Sequence, residues 1–347
     1  MTAQGSGMLR RLLIVASFTG STIAFFFFTL VNWLHFQTYL GDYTIFWRAG
    51  AGWPIYGDLH DLPFAYPPTA LLLLRPFGLL PFWWALAAWT VFGITCLGLS
   101  AKRLVDTKAV LLGMLTASSL SLAFSGQISW FVSPLLIAGI LGKRSWLNGL
   151  CFAIAASIKP QLALALPIAL IARRSYRTIG WAILFGAGLF AVSVLAWGSE
   201  SWVRWFNVLN DFKALLVERG LDKTGVGLAG LALKLGLPSG LFFLGTPLGC
   251  ACVWRTFSRA APGPEQFAAL ACGSVLLSPY VLGYDIAALS IMSVAFLFDK
   301  HRSPILWASS AMIISYFMAA PGIALMAGFL ALRGSDLPVS ADAKRLD

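Results

Sequence analysis

The sequence predicts an all-α polytopic membrane protein, and three observations indicate this fold class. Of the 347 residues, 59% are hydrophobic and 11% are charged, whereas a soluble domain carries about 25% charged residues. The mean hydropathy is +0.79. Lysine and arginine recur in short clusters between apolar runs, which is the positive-inside pattern of membrane proteins. A basic face for nucleic acid would gather these residues in one place, so the net charge of +11 predicts no nucleic-acid partner.

The first span is predicted at residues 12–35. Arg10 and Arg11 precede it and place the N-terminus in the cytoplasm. The run is long enough for a bilayer core of about 30 Å, and it lacks the small-residue cleavage pattern of a signal peptide. The five cysteines all fall in apolar runs, where they behave as small hydrophobic residues, so we expect neither a disulfide framework nor a zinc site.

The basic clusters predict the topology. Placing every cluster in the cytoplasm gives about twelve crossings with both termini inside, and merging neighbouring segments gives about ten. We expect one multi-pass domain over residues 1–347 in the cell (inner) membrane, with outer loops at 36–81 and 198–226 and a cytoplasmic tail at 334–347. The predicted spans are 12–35, 82–101, 109–125, 128–142, 145–158, 160–172, 178–197, 239–254, 264–282, 284–298, 303–319 and 321–332.

Several of these segments are shorter than the roughly 20 residues of a simple span. Irregular backbone at membrane depth is tolerated where protein or a water-filled cavity covers it. The shortest segments meet at residues 157–161 and 278–280. We therefore expect both corners to line a cavity on the outer face.

Asp42 follows the first span at the start of a polar and aromatic stretch, residues 42–68. A carboxylate at the edge of a bilayer costs free energy unless it is solvated, paired or used in a reaction. Asp42 is therefore the first candidate for a reactive centre. The alternative is that it caps a helix or lies in headgroup water.

Three basic residues are predicted on the outer face, which is contrary to the positive-inside rule. They are Arg48, Arg75 and Lys159. A guanidinium binds phosphate oxygens in bidentate fashion and an ammonium acts as a point charge, so these residues favour a phosphate ligand. The alternative is snorkelling to lipid headgroups. Residues 69–80, which contain Arg75, predict an interfacial helix. Residues 198–226 contain several tryptophans together with charged residues. This composition is typical either of a segment at the membrane surface or of a solvated connector.

Short motifs occur in a fixed order along the chain, namely Asp42 after the first span, Ala49-Gly50, Tyr56-Gly57, Phe64-x-Tyr66-Pro67-Pro68, Leu80-Pro81, Gly126-Gln127, Lys159-Pro160-Gln161, Ser278-Pro279-Tyr280 and Tyr284-Asp285. This ordered set resembles glycosyltransferase family 87, a family of the GT-C type. The resemblance covers roughly residues 40–290.

The resemblance implies a membrane enzyme that moves a hexose, with mannose favoured, from a polyprenyl-phosphate-sugar donor to a glycolipid or glycan acceptor on the non-cytoplasmic face. Asp42 then matches the base that deprotonates the acceptor hydroxyl in an inverting transfer. Lys159, with Arg48 or Arg75, offsets the charge that grows on the leaving phosphate. The expected substrate cavity contains Tyr66, Gln127, Gln161, Tyr284 and Asp285.

Several of these residues also have ordinary structural interpretations. Gln127 either hydrogen-bonds a sugar hydroxyl or bridges two helices, and Asp285 either adds a polar group to the cavity or caps a helix. We expect no cofactor. A divalent metal on Asp58, His60 and Asp61 is an open alternative to a turn at those residues.

The main rival class is a polytopic transporter or a lipid-linked-sugar flippase. Transporters are typically built from internal repeats, with polar residues at the midplane of broken helices. This sequence shows no repeat, and its polar residues gather at one predicted face. A non-catalytic lipid-binding protein is the third alternative, and it would not require Asp42.

Overall fold

The computed structural model describes residues 3–36, 41–53, 64–218, 220–259 and 261–333. These residues form seventeen α-helices and five short 3₁₀ helices, with no β-strand among them, which confirms the predicted all-α fold class. An α-helix pairs its own backbone N–H and C=O groups, which is required in the bilayer core because no water is present there to hydrogen-bond them. The α-helices are α1 Ala3–Phe36, α2 Gly41–Ala51, α3 Leu71–Gly78, α4 Phe82–Ala101, α5 Thr107–Met114, α6 Ala117–Ser125, α7 Ser129–Leu141, α8 Ser145–Ile158, α9 Leu166–Ala172, α10 Tyr176–Trp197, α11 Glu200–Glu218, α12 Leu228–Lys234, α13 Gly245–Arg259, α14 Pro264–Leu277, α15 Ala287–Phe298, α16 Pro304–Ile314 and α17 Ala319–Arg333. The 3₁₀ helices are Pro68–Ala70, Pro160–Ala163, Leu221–Thr224, Ser239–Leu244 and Gly283–Ile286.

Within the described part of the chain, three helices are long and apolar enough to cross a membrane: α1 over Gly5–Leu30, α4 and α10. Two of them coincide with the predicted spans at 82–101 and 178–197. Only 6% of the most apolar 18-residue stretch of α10 is buried by protein, so most of the surface of this helix is available for contact with lipid. The remaining helices are shorter, which agrees with the short segments that the sequence predicts.

The span predicted at 109–125 is broken. It consists of α5 and α6, which meet at a bend of 61°. The hydroxyl of Thr116 donates to the carbonyl oxygen of Gly113 at 2.7 Å, and the hydroxyl of Ser21 in α1 accepts from the backbone nitrogen of Ala117 at 2.6 Å. Side chains therefore satisfy backbone groups that the bend releases, and the prediction of one continuous helix is corrected.

The bundle has two chemically different ends. At one end, Arg10 Nη1 donates to the carbonyl oxygen of Phe298 at 3.0 Å, and Lys108 Nζ lies 5.5 Å from the centre of the Phe298 ring. At the other end, α8 finishes immediately before Lys159, and α15 begins shortly after Asp285. Because α15, Ala287–Phe298, starts next to Asp285 and ends at Phe298, Arg10 and Lys108 lie at the opposite end of this helix from the ion pair.

The first predicted outer loop contains a helix that the sequence pattern did not indicate. Asp42 lies in the first turn of this helix, α2, which packs against α3. Gly50 and Gly78 allow this approach, because a Cβ on either residue would overlap the backbone of the other element. The helix predicted at 69–80 is present as the 3₁₀ turn Pro68–Ala70 and α3. The segment predicted as an outer loop at 198–226 is mostly helical as α11.

Candidate active site

A buried ion pair lies at the centre of the candidate site. Lys159 Nζ is 2.5 Å from Asp285 Oδ1, and both side chains are 2% exposed. The chain bends at Lys159 because Pro160, which has no backbone N–H, ends α8 and starts a 3₁₀ helix. Burial of either charge alone would cost several kcal/mol, so each residue compensates for the other.

Ser129 completes this cluster. Its hydroxyl donates to Asp285 Oδ1 at 2.6 Å and accepts from Lys159 Nζ at 3.2 Å. The residue is buried at the first position of α7. Ser129 is not among the residues predicted from the sequence, although it lies two positions after Gln127. The hydroxyl fixes both charged groups relative to each other.

Asp285 has two structural roles. Its Oδ2 accepts from the backbone nitrogen of Leu282 at 3.2 Å, which caps the 3₁₀ helix Gly283–Ile286, while Oδ1 pairs with Lys159. The structure shows the capping interaction of Asp285, and its role as a polar group in a substrate cavity stays a prediction. Asp285 lies 126 positions from Lys159 in sequence and adjacent to it in space.

Two tyrosine rings cover the ammonium group. Lys159 Nζ lies 5.0 Å from the ring centre of Tyr284 and 5.7 Å from that of Tyr66. Such cation–π contacts further stabilise the charge of a buried ammonium. Burial raises the pKa of the Tyr66 phenol well above its usual value, and Asp285 and Asp42 raise it further. Tyr66 therefore remains a proton donor at neutral pH.

Gln127 connects this cluster to Asp42. Its Oε1 accepts from the hydroxyl of Tyr66 at 3.0 Å, and its side chain hydrogen-bonds the carboxylate of Asp42. Because a carboxylate only accepts, the Gln127 amide nitrogen is the donor to Asp42. The preceding Gly126 adopts a left-handed φ of +65°, and its carbonyl oxygen accepts from the indole of Trp89 at 2.9 Å. This turn directs Gln127 between Tyr66 and Asp42.

The environment of Asp42 makes it a stronger base than a free carboxylate. Burial raises the pKa of this carboxyl above its usual value; the hydrogen bond from Gln127 and the charge of Lys159 oppose the rise, and the charge of Asp285 adds to it. The carboxylate is part of the same electrostatic cluster as Lys159 and Asp285. A raised pKa brings a carboxylate closer to the operating range of a general base.

Tyr280 borders the same cluster. The charges of Asp42 and Asp285 both act on its phenol, whose pKa is raised chiefly by burial. Its ring packs edge-on against Phe212 of α11 at 6.0 Å. The corner at 278–280, predicted to line a cavity, is therefore brought to the site together with the corner at 157–161.

The three remaining predicted site residues are Arg75, Arg48 and Gln161. Arg75 is exposed and donates from Nη1 to the carbonyl oxygen of Gly50 at 2.9 Å, so it holds α2 against α3. Arg48 lies with its guanidinium carbon 5.5 Å from the ring centre of Trp53. Gln161 is half-buried in the turn Pro160–Ala163 and hydrogen-bonds neither charge of the ion pair.

No group of three metal-ligating side chains occurs in the described residues. Asp58, His60 and Asp61, the candidate metal ligands, lie outside the described residues.

The model of glycosyltransferase family 87 matches residues 64–279. That range includes Tyr66, Gln127 and Lys159, whereas Asp42 and Asp285 fall outside it. No solved structure matches the chain.

One similar protein is a polyprenol-phosphate-mannose-dependent alpha-(1-2)-phosphatidylinositol pentamannoside mannosyltransferase of Mycolicibacterium smegmatis (strain ATCC 700084 / mc(2)155). It is 28% identical over 195 residues, which is 52% of this chain and 47% of the relative. The match thus spans about half the length of the relative.

Proposed function

Because this chain belongs to glycosyltransferase family 87 and is a membrane glycosyltransferase, we propose that it transfers mannose from a polyprenyl-phosphate donor to a glycolipid or glycan acceptor. The activity named for the mycobacterial relative supports the choice of donor. The observation that carries the proposal is the convergence of a partly buried carboxylate, Asp42, with a buried ammonium, Lys159, through Gln127 and Tyr66.

Asp42 is the general base of the proposed reaction. The acceptor hydroxyl oxygen attacks the anomeric carbon of the sugar as its proton passes to Asp42. The bond between that carbon and the donor phosphate oxygen breaks on the opposite face, and the anomeric configuration inverts. One carboxylate is sufficient because no covalent intermediate forms. The raised pKa of Asp42 suits this role.

Lys159 stabilises the leaving polyprenyl phosphate. Its charge is already desolvated and held by Asp285 and Ser129, so little reorganisation is needed when the phosphate becomes more negative. Asp285 and Ser129 act as positioning residues. Tyr66 and Tyr284 restrict the direction from which an anion approaches the ammonium.

We place the site on the non-cytoplasmic face. The basic residues Arg10 and Lys108 lie at the opposite end of the bundle, and the positive-inside rule assigns that end to the cytoplasm. A lipid-linked donor fits this location, since its lipid tail holds it in the bilayer.

The test is transfer by the purified protein in liposomes. The liposomes contain polyprenyl-phosphate-mannose, or the arabinofuranose equivalent, and phosphatidylinositol mannoside as acceptor. We expect mannosylated product from the first donor and none from the second. Transfer from the arabinofuranose donor alone would contradict the mannose assignment, and transfer from neither donor would contradict the proposed donor class.

A further inference from the structure

An open cavity lies at the end of α8 that is remote from the ion pair. It has a volume of about 490 Å³ and is lined by Ser145 and by residues 174–178. Ser145 is the first residue of α8, whereas Lys159 follows the last residue of that helix. The 14 residues of α8 span about 21 Å, so this cavity is separate from the candidate active site.

Two helices begin at this cavity. α8 starts at Ser145 and α10 starts at Tyr176, and no side chain caps either N-terminus with a hydrogen bond. Neither helix has an acidic residue in its first turn. The positive ends of the two helix dipoles are therefore not compensated by a first-turn carboxylate. Two helix N-termini at one cavity favour an anionic ligand.

Two arginines and a buried hydroxyl add to this preference. Arg174 and Arg177 line the cavity and are exposed, and neither guanidinium makes a hydrogen bond or an ion pair with a residue that the structure describes. Thr178 lines the same cavity but is only 5% exposed, and its hydroxyl has no hydrogen-bond partner within the described ranges. Buried polar groups are nearly always hydrogen-bonded, so an unpaired hydroxyl at the cavity wall indicates a place for a ligand oxygen.

Close packing fixes the two helix starts side by side. A Cβ on Gly149 of α8 would lie 2.5 Å from the Cβ of Trp181 in α10. Before α8, Asn148 Nδ2 donates to the carbonyl oxygen of Gly142 at 2.9 Å and holds the preceding turn. The donors at the cavity are therefore positioned by the fold before any ligand binds.

Exposed aromatic residues border the cavity. Trp146 follows Ser145, Tyr176 lines the cavity, and Trp181 lies about one turn beyond Thr178, and all three are exposed. Tryptophan and tyrosine collect at the interface between membrane and water. The most apolar stretch of α10, which is only 6% buried by protein, adjoins them. The cavity thus lies at the level of phospholipid phosphates.

We propose that this cavity binds the phosphate of an anionic phospholipid headgroup, a function separate from the transfer reaction. The phosphate oxygens accept from the first-turn N–H groups of the two helices and from the hydroxyl of Thr178, and their charge pairs with Arg174 and Arg177. The acyl chains lie along the lipid-exposed surface of α10. Phosphatidylglycerol suits this site better than phosphatidylcholine, because the choline ammonium would lie close to two guanidinium groups.

The experiment is native mass spectrometry of the purified full-length protein, released from nanodiscs that contain phosphatidylglycerol and phosphatidylcholine in equal amounts. We expect the wild type to retain phosphatidylglycerol preferentially. Arg174→Gln and Arg177→Gln should each lower this preference about fivefold, which is the contribution of one basic residue near an anionic membrane surface. Thr178→Val, which removes the hydroxyl but keeps the side-chain shape, should lower it by a similar factor, and Thr178→Ser should restore it.

Arg103→Gln is the matched control. Arg103 is exposed just after α4 and does not line the cavity, so its replacement removes the same charge from another part of the surface. This variant should keep the wild-type preference. Because Arg174 and Arg177 are exposed, their variants test the proposal even where Thr178→Val lowers the melting temperature.

Equal retention of both lipids by the wild type would overturn the proposal. Equal losses in Arg103→Gln and Arg177→Gln would do the same, because they would indicate an effect of general surface charge. Binding of inorganic phosphate without retention of phosphatidylglycerol would identify a soluble anion as the ligand and exclude the headgroup. No sugar is transferred in this measurement, so its failure leaves the proposed function intact, and a failure of mannose transfer leaves this test unaffected.

Discussion

Lys159 and Asp285 form a buried ion pair with 2.5 Å between Nζ and Oδ1, although 126 positions separate them in sequence. The pair joins the break after α8 to the 3₁₀ turn before α15, and it therefore stabilises the fold as well as the candidate site. Any substitution of Lys159 affects both properties, so stability and activity have to be measured separately.

For the ion pair, we expect Lys159→Gln to lower the free energy of unfolding by about 3–5 kcal/mol, because Asp285 is left as an uncompensated buried charge. The double variant Lys159→Met, Asp285→Leu should recover most of that stability and remain inactive. Thermal unfolding in detergent and mannose transfer in liposomes measure the two effects. An active double variant would show that the pair has only a structural role.

For the phosphate site, Lys159→Arg should retain part of the donor affinity that Lys159→Gln loses. A guanidinium keeps the charge but differs in shape from a compact ammonium. Binding of polyprenyl phosphate to the purified variants measures this order. Equal donor affinity in the wild type and in Lys159→Gln would move the phosphate site elsewhere.

For the general base, Asp42→Asn should lower turnover by about 10²- to 10⁴-fold, with expression and donor binding nearly unchanged. Asparagine retains the shape and the hydrogen-bonding contact with Gln127 but cannot take a proton. The measurement is initial rate at saturating donor. A variant that keeps more than about a tenth of wild-type turnover is incompatible with this role.

The pH dependence of the reaction should reflect the same carboxyl group. Asp42 acts as a base only when deprotonated, so kcat/KM should fall as the pH drops through its pKa. Because burial raises that pKa, the fall should begin at a higher pH than it would for an exposed aspartate. The pH–rate profile of the wild type measures this fall of kcat/KM at low pH. The residual activity of Asp42→Asn should not show the fall.

For the hydroxyl that joins both charges, Ser129→Ala should weaken donor affinity about tenfold, because Lys159 and Asp285 each lose a hydrogen bond. Ser129→Thr, which keeps a hydroxyl, should restore part of the affinity. A purely structural hydroxyl would change the melting temperature without a change in KM for the donor. Kinetics and thermal unfolding of both variants distinguish these outcomes.

For the orientation in the membrane, cysteines introduced at Lys223 and Arg177, both exposed, should differ in their reaction with an impermeant maleimide added to intact cells. Position 223 should be labelled and position 177 protected. The five native cysteines are replaced by serine or alanine in this background. Labelling at 177 from outside would invert the topology and place the site in the cytoplasm.

The sequence by itself determined the all-α membrane fold and the glycosyltransferase family. These properties follow from composition, local hydropathy and the order of short motifs. All three can be read along the linear sequence without knowledge of how distant segments pack. Asp42, Gln127 and Lys159 could be selected in this way because each follows an apolar run at the same predicted face.

Only the tertiary structure decided which of those residues act together. The Lys159–Asp285 pair, the Ser129 bridge and the bend between α5 and α6 depend on how distant helices pack, and helix packing leaves no periodic signal along the chain. Arg75 shows the same limit, since its charge suggested phosphate but its guanidinium donates to the Gly50 carbonyl. A buried charge is stabilised by the partner that packing brings to it, so its role is determined in three dimensions.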